Sequence, residues 1–329
     1  MEITPEIKDQ ILATARVLSI PMRVKFRGVT NREVLLFEGP YGWAEWSPFP
    51  EYEDEEAAVW LKAAIEWAFT DFPDLGIKTV KVNATLPAVK DVAGALAPFG
   101  DFEVVKIKVA EKGQSLNEDL QRINEVRRLY PHARIRLDAN GGYDLDTALL
   151  LAKTMFEEGV PLEYLEQPVK TIAELAELRL KLKQFNIKIA ADESVRKVSD
   201  PLVVAQAHAA DFLVLKAAPL GGINNAINIA KEAGLPVVVS SALETSVGLS
   251  MGAYLAASLN SGYASGLATA ALLTDDVTDE PLIPVNGEIP VKRPVVNQEK
   301  TRSLAAYYAR TEFWMARLLD CILKLELTW

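Results

Sequence analysis

The chain has 329 residues, of which 50% are apolar and 24% are charged, a balance that is typical of globular proteins and excludes long disordered segments. Its formal net charge of −10 argues against a nucleic-acid partner, because a phosphate backbone requires a basic surface. One cysteine and two histidines exclude an internal disulfide and a three-histidine zinc site. The pattern contains neither a membrane-spanning stretch nor a secretory leader, so we expect a cytoplasmic protein.

The N-terminal part is predicted to be an α+β capping domain over residues 1–76. Residues 23–46 alternate apolar and polar side chains and contain the turn sequence GPYG, which indicates an antiparallel β-meander. Residues 53–71 then have the pattern of a helix with acidic residues in its first turn.

Residues 77–275 are predicted to form an α/β barrel of about eight parallel strands. Short runs rich in β-branched residues alternate there with amphipathic helical stretches, as parallel βα units require. The runs are TVKVNA, EVVKIKVA, ARIRLDA, LEYLEQP, IKIAADES, DFLVLKAAP, LPVVVSSAL and, more weakly, GYASGLAT. An open doubly wound sheet is the structural alternative, but the GG pairs at 141–142 and 221–222 lack the spacing of a dinucleotide-binding loop.

Residues 276–329 are predicted to pack back on the cap and the barrel. A Pro-rich stretch there cannot be regular helix and is expected to be extended. An amphipathic stretch follows at 301–325, with Trp314, Leu318 and Leu319 expected on one side. We expect it to pack against the protein and not on a membrane, because basic residues do not dominate its polar face.

Five ionisable residues stand at the ends of five successive β runs, 24 to 30 residues apart. In chain order they are Lys108, Asp138, Glu166, Asp192 and Lys216. Each gap is about one βα unit, so these side chains are expected to converge at the C-terminal mouth of the barrel, where active sites of such barrels lie. Lys108 and Lys216 should face each other, because four strand positions separate them in the ring.

These residue types predict metal-assisted chemistry on a carboxylate substrate. Three carboxylates from adjacent strands form a hard oxygen site that suits Mg²⁺, which Mn²⁺ could replace. The alternative is that the acids pair with basic neighbours such as Arg136. A lysine could remove the α-proton of the substrate while the metal stabilises the enediolate, and elimination, racemisation and cycloisomerisation then stay open.

The ordered motifs VKIKV, RLDAN, LEQP, ADES and VLKAAPLGG, following a β-meander, resemble the enolase superfamily in its muconate lactonising subgroup. This likeness spans essentially the whole chain. Further segments, such as SSALETSVGL and LLTDDVTDEPLIPVNGEIPV, are similar to the dehydratases of this subgroup that act in menaquinone synthesis. The resemblance implies an enolase-type barrel with a cap and a magnesium-dependent loss of water from a small dicarboxylate.

The resemblance also implies a role for each site residue. Lys108, the second lysine of the KIK sequence, would take the α-proton and return a proton to the leaving hydroxyl. Lys216 would stabilise the enediolate through a cation–π contact. Asp138, Glu166 and Asp192 would bind Mg²⁺. The residues expected to contact the substrate are Lys106, Arg136, Asn140, Ser240, Ser241 and Leu243.

Three cap residues, Arg27, Gly28 and Tyr52, are placed over the substrate by their position alone, and the sequence does not define an oligomeric state. An N-succinylamino acid racemase is one alternative, in which both lysines exchange protons with the α-carbon. A phosphate-binding barrel aldolase or isomerase is another, with a Schiff base on Lys216 and no metal, although SSALETS lacks the glycines of a phosphate cup. A non-enzymatic binding protein would not need all five ionisable groups.

Overall fold

The N-terminal unit combines one antiparallel sheet with two helices. A computed structural model describes residues 3–26, 28–197 and 200–328. The elements of this unit are α1 (Pro5–Thr14), β1 (Arg16–Phe26), β2 (Val29–Gly39), β3 (Gly42–Trp46) and α2 (Asp54–Phe69). The strands pair in the order β1-β2-β3, which is the predicted meander. Helix α2 has three acids in its first turn, where they favour the helix dipole, and it buries an Ala- and Trp-rich face.

Strand β1 begins at Arg16, seven residues before the predicted start of the meander. Pro21, which cannot donate a hydrogen bond within a sheet, lies in this added part of the strand. In the structure β1 is an edge strand, where proline is tolerated, and its pairing with β2 becomes irregular between Pro21 and Phe26.

A parallel barrel follows the cap. Its strands, paired in chain order, are β5 (Ala84–Leu86), β6 (Val104–Lys108), β7 (Arg134–Asp138), β8 (Leu162–Glu166), β9 (Ile189–Ala191), β10 (Phe212–Leu215) and β11 (Val237–Val239). The intervening and following helices are α3 (Val92–Leu96), α4 (Leu116–Leu129), α5 (Leu145–Glu157), α6 (Ile172–Leu182), α7 (Asp200–Gln206), α8 (Ile223–Ala233) and α9 (Ser246–Leu259). The predicted α/β barrel is therefore confirmed as a curled parallel sheet of seven strands.

The first and last predicted runs of the barrel differ from the prediction. Residues Thr79–Lys81 of TVKVNA form β4, which pairs outside the barrel, so the first barrel strand begins only at Ala84. The run GYASGLAT forms no ladder strand. It contributes isolated parallel bridges, from Ser265 to Val82 and from Gly266 to Ser240, through which the two ends of the sheet meet.

The C-terminal segment contacts both units. Strand β12 (Glu288–Pro290) pairs with β4, and α10 (Gln298–Ser303) and α11 (Tyr308–Thr328) follow. Helix α11 packs on α2 and β1, and the ring of Trp314 meets that of Trp46 edge-on with centroids 5.5 Å apart. Trp314 and Leu318 are fully buried as predicted, but Leu319 is 41% exposed because it lies one residue further round the helix.

No helix within residues 3–26, 28–197 and 200–328 is both long and apolar enough to cross a bilayer.

Candidate active site

The five ionisable residues lie at the carboxyl ends of five neighbouring barrel strands. Lys108, Asp138 and Glu166 are the last residues of β6, β7 and β8, and they pair directly across the sheet. Asp192 follows β9, and Lys216 follows β10. Strands β6 and β10 are four positions apart in the sheet, so Lys108 and Lys216 approach the mouth of the barrel from different sides.

A cavity opens at this mouth, and most of the predicted site residues line it. Its lining includes Lys106, Lys108, Asp138, Asn140, Asp192, Lys216, Ser240, Ser241 and Leu243. Glu166 lies directly beneath, where its Oε1 accepts a hydrogen bond from Lys106 Nζ at 2.7 Å.

Arg136 is the predicted site residue that the structure does not bring to this cavity. It is fully buried in the barrel. Its guanidinium donates to Glu163 at 2.5 Å, to Asn83 at 2.9 Å and to the carbonyl of Ala264 at 2.7 Å. The sequence prediction used strand position alone, whereas these acceptors hold the guanidinium away from the cavity lining, and substrate contact by Arg136 stays a prediction.

The lysines and carboxylates form a chain of buried ion pairs. Lys106 Nζ lies 3.2 Å from Asp138 Oδ2 in addition to its bond with Glu166. Lys108 Nζ lies 2.5 Å from Asp138 Oδ2 and donates to Asn140 Oδ1 at 2.6 Å. Lys216 forms an ion pair with Asp192. Each ammonium group is therefore held among oxygen atoms at the cavity floor or wall.

These pairs divide the carboxyl groups into two classes by pKa. Burial would raise the pKa of Asp138, but the ammonium groups of Lys108 and Lys106 outweigh it and hold that pKa well below the usual range. Burial would likewise raise the pKa of Asp192, but the charges of Lys216 and Lys106 outweigh it and lower that pKa. Burial, followed by the charge of Asp138, raises the pKa of Glu166 to about 8. Glu166 is therefore the carboxyl group of the three whose charged form is least favoured.

The donor set fits a divalent cation. Glu166 Oε2 is buried without a hydrogen-bond partner among the described residues, and carboxylate oxygens are the ligands that Mg²⁺ prefers. As the side chains stand, no three His, Cys, Asp or Glu residues of the described ranges are arranged to hold an ion. The ammonium group of Lys106 lies between Asp138 and Glu166 and supplies the positive charge there.

Backbone strain is concentrated at the same strand ends. Ala110, Asn140 and Gln167 follow β6, β7 and β8 with positive φ angles of 58°, 46° and 37°, and Leu243 in the loop after β11 has φ of 65°. Residues other than glycine seldom adopt this left-handed conformation, which is frequent at functional sites. The strained positions therefore mark the same mouth as the ionisable groups.

Two further polar residues at the mouth escaped the sequence analysis, although both stand inside motifs it used. Glu193, next to Asp192 in ADES, accepts from Asn140 Nδ2 at 2.8 Å, and Asn140 in turn accepts from Lys108. Gln167, in LEQP, accepts from the backbone N–H groups of Asp192 and Ser194 at 3.1 Å each. The sequence signal that could have identified them is their position directly after a predicted metal ligand at a strand end, Glu193 after Asp192 and Gln167 after Glu166.

The cap also reaches the mouth. Phe26 and Phe49 line the cavity, and Lys108 Nζ lies 5.2 Å from the centre of the Phe26 ring. Tyr52 lines a second cavity that shares Phe49, Asp192 and Lys216 with the first. Gly28 borders a groove beside Phe26, and Arg27 lies outside the described residues.

A buried carboxylate of the cap, Glu45, holds the N-terminus of barrel helix α9. Its Oε2 accepts from the backbone N–H groups of Thr245 at 3.0 Å and Gly248 at 3.2 Å, and its Oε1 accepts from the Ser47 hydroxyl at 2.7 Å. Burial, then the nearby Glu244 carboxylate, raises the pKa of Glu45 to about 7, although Arg32 opposes this.

We expect Glu45→Gln to change how stability depends on pH. A raised folded-state pKa means that the contribution of Glu45 to stability is complete below pH 4.5 and is lost as pH rises through about 7, a loss of about 3 kcal/mol. Glutamine keeps the acceptor for the helix and can donate to Ser47. Urea unfolding should therefore find the variant close to the wild type at pH 5 and more stable at pH 8.5. The exposed Glu157→Gln serves as control, and equal stability of wild type and Glu45→Gln at pH 8.5 would contradict the expectation.

Comparisons with known proteins agree with this architecture. The sequence models of two families match: "Enolase N-terminal domain-like" over residues 17–68 and "Enolase C-terminal domain-like" over residues 88–294. The structure of muconate lactonizing enzyme from Pseudomonas fluorescens, complexed with muconolactone, superposes with a TM-score of 0.74 at 18% identity, covering 89% of this chain and 98% of that one. At such low identity the likeness concerns the fold alone. A cap on a parallel barrel with lysines and acids at its mouth is thus an enolase-type enzyme architecture.

Two curated relatives are much more similar in sequence. The o-succinylbenzoate synthase of Mycobacterium tuberculosis (strain ATCC 25618 / H37Rv) is 46% identical over 316 residues, which is 95% of each chain. That of Mycolicibacterium smegmatis is 46% identical over 316 residues, covering 95% of this chain and 96% of the relative. The chain belongs to the o-succinylbenzoate synthase family of the enolase superfamily. Enzymes of this superfamily use a divalent metal ion.

Proposed function

We propose that the protein dehydrates 2-succinyl-6-hydroxy-2,4-cyclohexadiene-1-carboxylate to o-succinylbenzoate, as a carbon–oxygen lyase of menaquinone biosynthesis in the cytoplasm. The observation that carries the proposal is the placement of two lysines at the ends of strands four positions apart, flanking three buried carboxylates at one barrel mouth. The 46% identity to enzymes named o-succinylbenzoate synthase supports the choice of substrate. The small-molecule partner is accordingly a dicarboxylate.

The cavity residues divide the reaction between them. A Mg²⁺ ion held by Asp138, Glu166 and Asp192, or Mn²⁺ in its place, would supply the positive charge that makes the α-proton acidic. Lys108, as the neutral amine, takes the proton from the ring carbon that bears the carboxylate. It then returns the proton to the leaving hydroxyl, so that water departs and the ring becomes aromatic.

The other polar residues hold the substrate while this happens. Lys216 stays charged and offsets the negative charge that develops on the substrate after proton removal. Lys106 contacts the substrate carboxylate from the cavity floor. Asn140, Ser240, Ser241 and Leu243 line the remaining wall, where amide, hydroxyl and backbone groups suit the succinyl arm. Ser241 Oγ already bonds the carbonyl of Gly266 at 2.9 Å, which orients it.

The start of helix α9 argues against the phosphate-binding aldolase. Such barrels bind phosphate with free N–H groups near the seventh and eighth strands. Here the first three N–H groups of α9 are all occupied, that of Ser246 by Asp276, that of Val247 by Thr245 Oγ1 and that of Gly248 by Glu45. A phosphate group would find no donors at this end of the helix.

The proposal is tested by assaying the purified enzyme with the cyclohexadiene substrate beside a set of N-succinylamino acids, each with Mg²⁺. We expect conversion of the cyclohexadiene to the aromatic product to have the highest kcat/KM. Racemisation of an N-succinylamino acid without dehydration would overturn the proposal, as would full activity in EDTA together with trapping by borohydride, which indicates a Schiff base.

Replacing Lys216 by arginine separates the dehydratase from the racemase. Arginine keeps the positive charge but does not exchange a proton at neutral pH, so a purely electrostatic role predicts that dehydration survives with kcat lowered by about tenfold. A racemase that needs both lysines as bases would lose racemisation by about 10³-fold or more in the same variant. The measurement is the ratio of the two activities in Lys216→Arg and in the wild type.

A further inference from the structure

Arg32, on strand β2 of the cap, is a buried cation far in sequence from the barrel loop that it contacts. Its side chain is 1% exposed. Its Nε donates to the carbonyl of Leu243 at 3.1 Å, and its Nη2 donates to the carbonyl of Ala242 at 3.2 Å. Nη2 also contacts the carbonyl of Ser47 in the cap. One guanidinium thus ties two consecutive carbonyls of the loop after β11 to the cap.

The loop has a conformation that needs such support. Leu243 has φ of 65°, which is unfavourable for a residue with a β-carbon. In a trans peptide the N–H of a residue points opposite to the preceding carbonyl. Because the Ala242 carbonyl points to Arg32, the N–H of Leu243 points away from Arg32, and Leu243 lines the cavity.

Electrostatics strengthen the link between cap and loop. Glu45 of the cap and Glu244 of the loop are both buried, and both are stabilised by the charge of Arg32. Glu244 Oε2 accepts from the N–H of Ala242 at 2.5 Å, and Glu45 holds Thr245 as described above. Arg32 also stacks 4.6 Å from the ring centre of Phe49, which forms part of the cavity wall. The guanidinium therefore contacts the loop, the cavity wall at Phe49 and the cap at Ser47 at the same time.

We propose that Arg32 is a positioning residue that sets the substrate-binding conformation of the loop Ser240–Thr245, with Glu45 as the second tie between cap and loop. Arg32 does not touch the reacting atoms. It acts by fixing the direction of the peptide groups at Ala242 and Leu243, and thereby the direction of the Leu243 N–H. The inference rests on the proposed function only for the identity of the substrate.

The test uses Arg32→Lys, which keeps the positive charge but has one ammonium group in place of the planar guanidinium. It cannot donate to the Leu243 and Ala242 carbonyls in the same geometry. Arg310→Lys is the matched control, because Arg310 makes a two-pronged ion pair with Glu33, the neighbour of Arg32 on β2, on the other side of the strand. Hydrogen exchange of the segment 240–249 reports the loop without any substrate. Steady-state kinetics on the cyclohexadiene report binding.

In Arg32→Lys we expect amide exchange in 240–249 to rise by about tenfold or more, and KM to rise by about ten- to a hundredfold with a smaller change in kcat. Arg310→Lys should change neither. A folded Arg32→Lys with wild-type exchange and KM would overturn the proposal, and so would equal effects in the two variants. If Arg32→Lys does not fold, Glu45→Ala must show the same increase in exchange at 245–249. A wild type inactive on the cyclohexadiene would refute the proposed function, while the exchange measurement would still decide the role of Arg32.

Discussion

Lys108→Ala is expected to lower kcat of the proposed dehydration by about 10⁴-fold, because one amine both removes the α-proton and protonates the leaving hydroxyl. The side chain is well placed for this role. Its Nζ lies at the cavity wall between Asp138 and Asn140, and Asn140 is itself oriented by Glu193. The conversion of the cyclohexadiene to the aromatic product measures the loss directly.

Two controls separate lost chemistry from lost structure in this variant. Lys153→Ala removes an exposed lysine of α5 that pairs with Glu157, and it should leave kcat unchanged. Lys108→Ala should still unfold cooperatively but at a lower temperature than the wild type, because Asp138 loses its nearest cation and keeps only Lys106 at 3.2 Å. If folded Lys108→Ala retains more than about a hundredth of the wild-type kcat, another group removes the α-proton, and the proposed role of Lys108 is wrong.

The position of the site could be predicted because local sequence and barrel geometry agree there. In DFLVLK an apolar run that is buried on β10 ends in a lysine, and a charged group at that point is tolerated only where the strand opens into a polar mouth. The same reasoning holds for Asp138 at the end of β7. Since parallel strands of a barrel end at one rim, residues that are distant in the chain must converge.

Side-chain direction and contacts between units could not be predicted in this way. Arg136 stands two residues before Asp138 and on the same face of β7, yet it bonds Glu163 and Asn83 at the other level of the barrel. Arg32 contacts Leu243 across 211 residues of sequence, and no periodicity relates the two. Such contacts depend on how the cap sits on the barrel, which is a property of the tertiary packing.

The C-terminal helix shows the same limit on a smaller scale. The pattern at 301–325 predicts one continuous amphipathic stretch, but α10 ends at Ser303 and α11 begins at Tyr308. Between them, the N–H of Ala306 bonds the carbonyl of Val17 on β1, and the N–H of Ser19 bonds the carbonyl of Leu304. Hydrogen bonds to the edge strand β1 thus replace helical hydrogen bonds at this point, so the break between α10 and α11 depends on a tertiary contact.

Removal of divalent metal should abolish the activity, and addition of Mg²⁺ should restore it. Glu166 Oε2 has no partner among the described residues, and burial together with the Asp138 charge disfavours the ionised form of Glu166, so that oxygen lacks a compensating positive charge. A bound cation supplies that charge, and binding to the folded state alone stabilises it by about 2.7 kcal/mol at a hundred times Kd. Thermal unfolding in EDTA and in excess Mg²⁺ measures this stabilisation without any substrate.

The affinity for Mg²⁺ should also depend on pH, because Glu166, as a proposed metal ligand, would bind the ion only in its ionised form. Burial and Asp138 raise the pKa of that carboxyl to about 8 in the metal-free protein, so metal binding must release its proton at lower pH. Affinity measured by calorimetry should therefore rise with pH, by up to about tenfold per unit, and level off near pH 8.

Glu166→Gln carries no titrating proton, so it should bind Mg²⁺ more weakly and lose this part of the pH dependence. Glu157→Gln, on the exposed face of α5, should match the wild type. Equal Mg²⁺ affinity in Glu166→Gln and the wild type across this pH range would show that Glu166 is not a metal ligand. Its unpartnered oxygen would then be assigned to substrate binding.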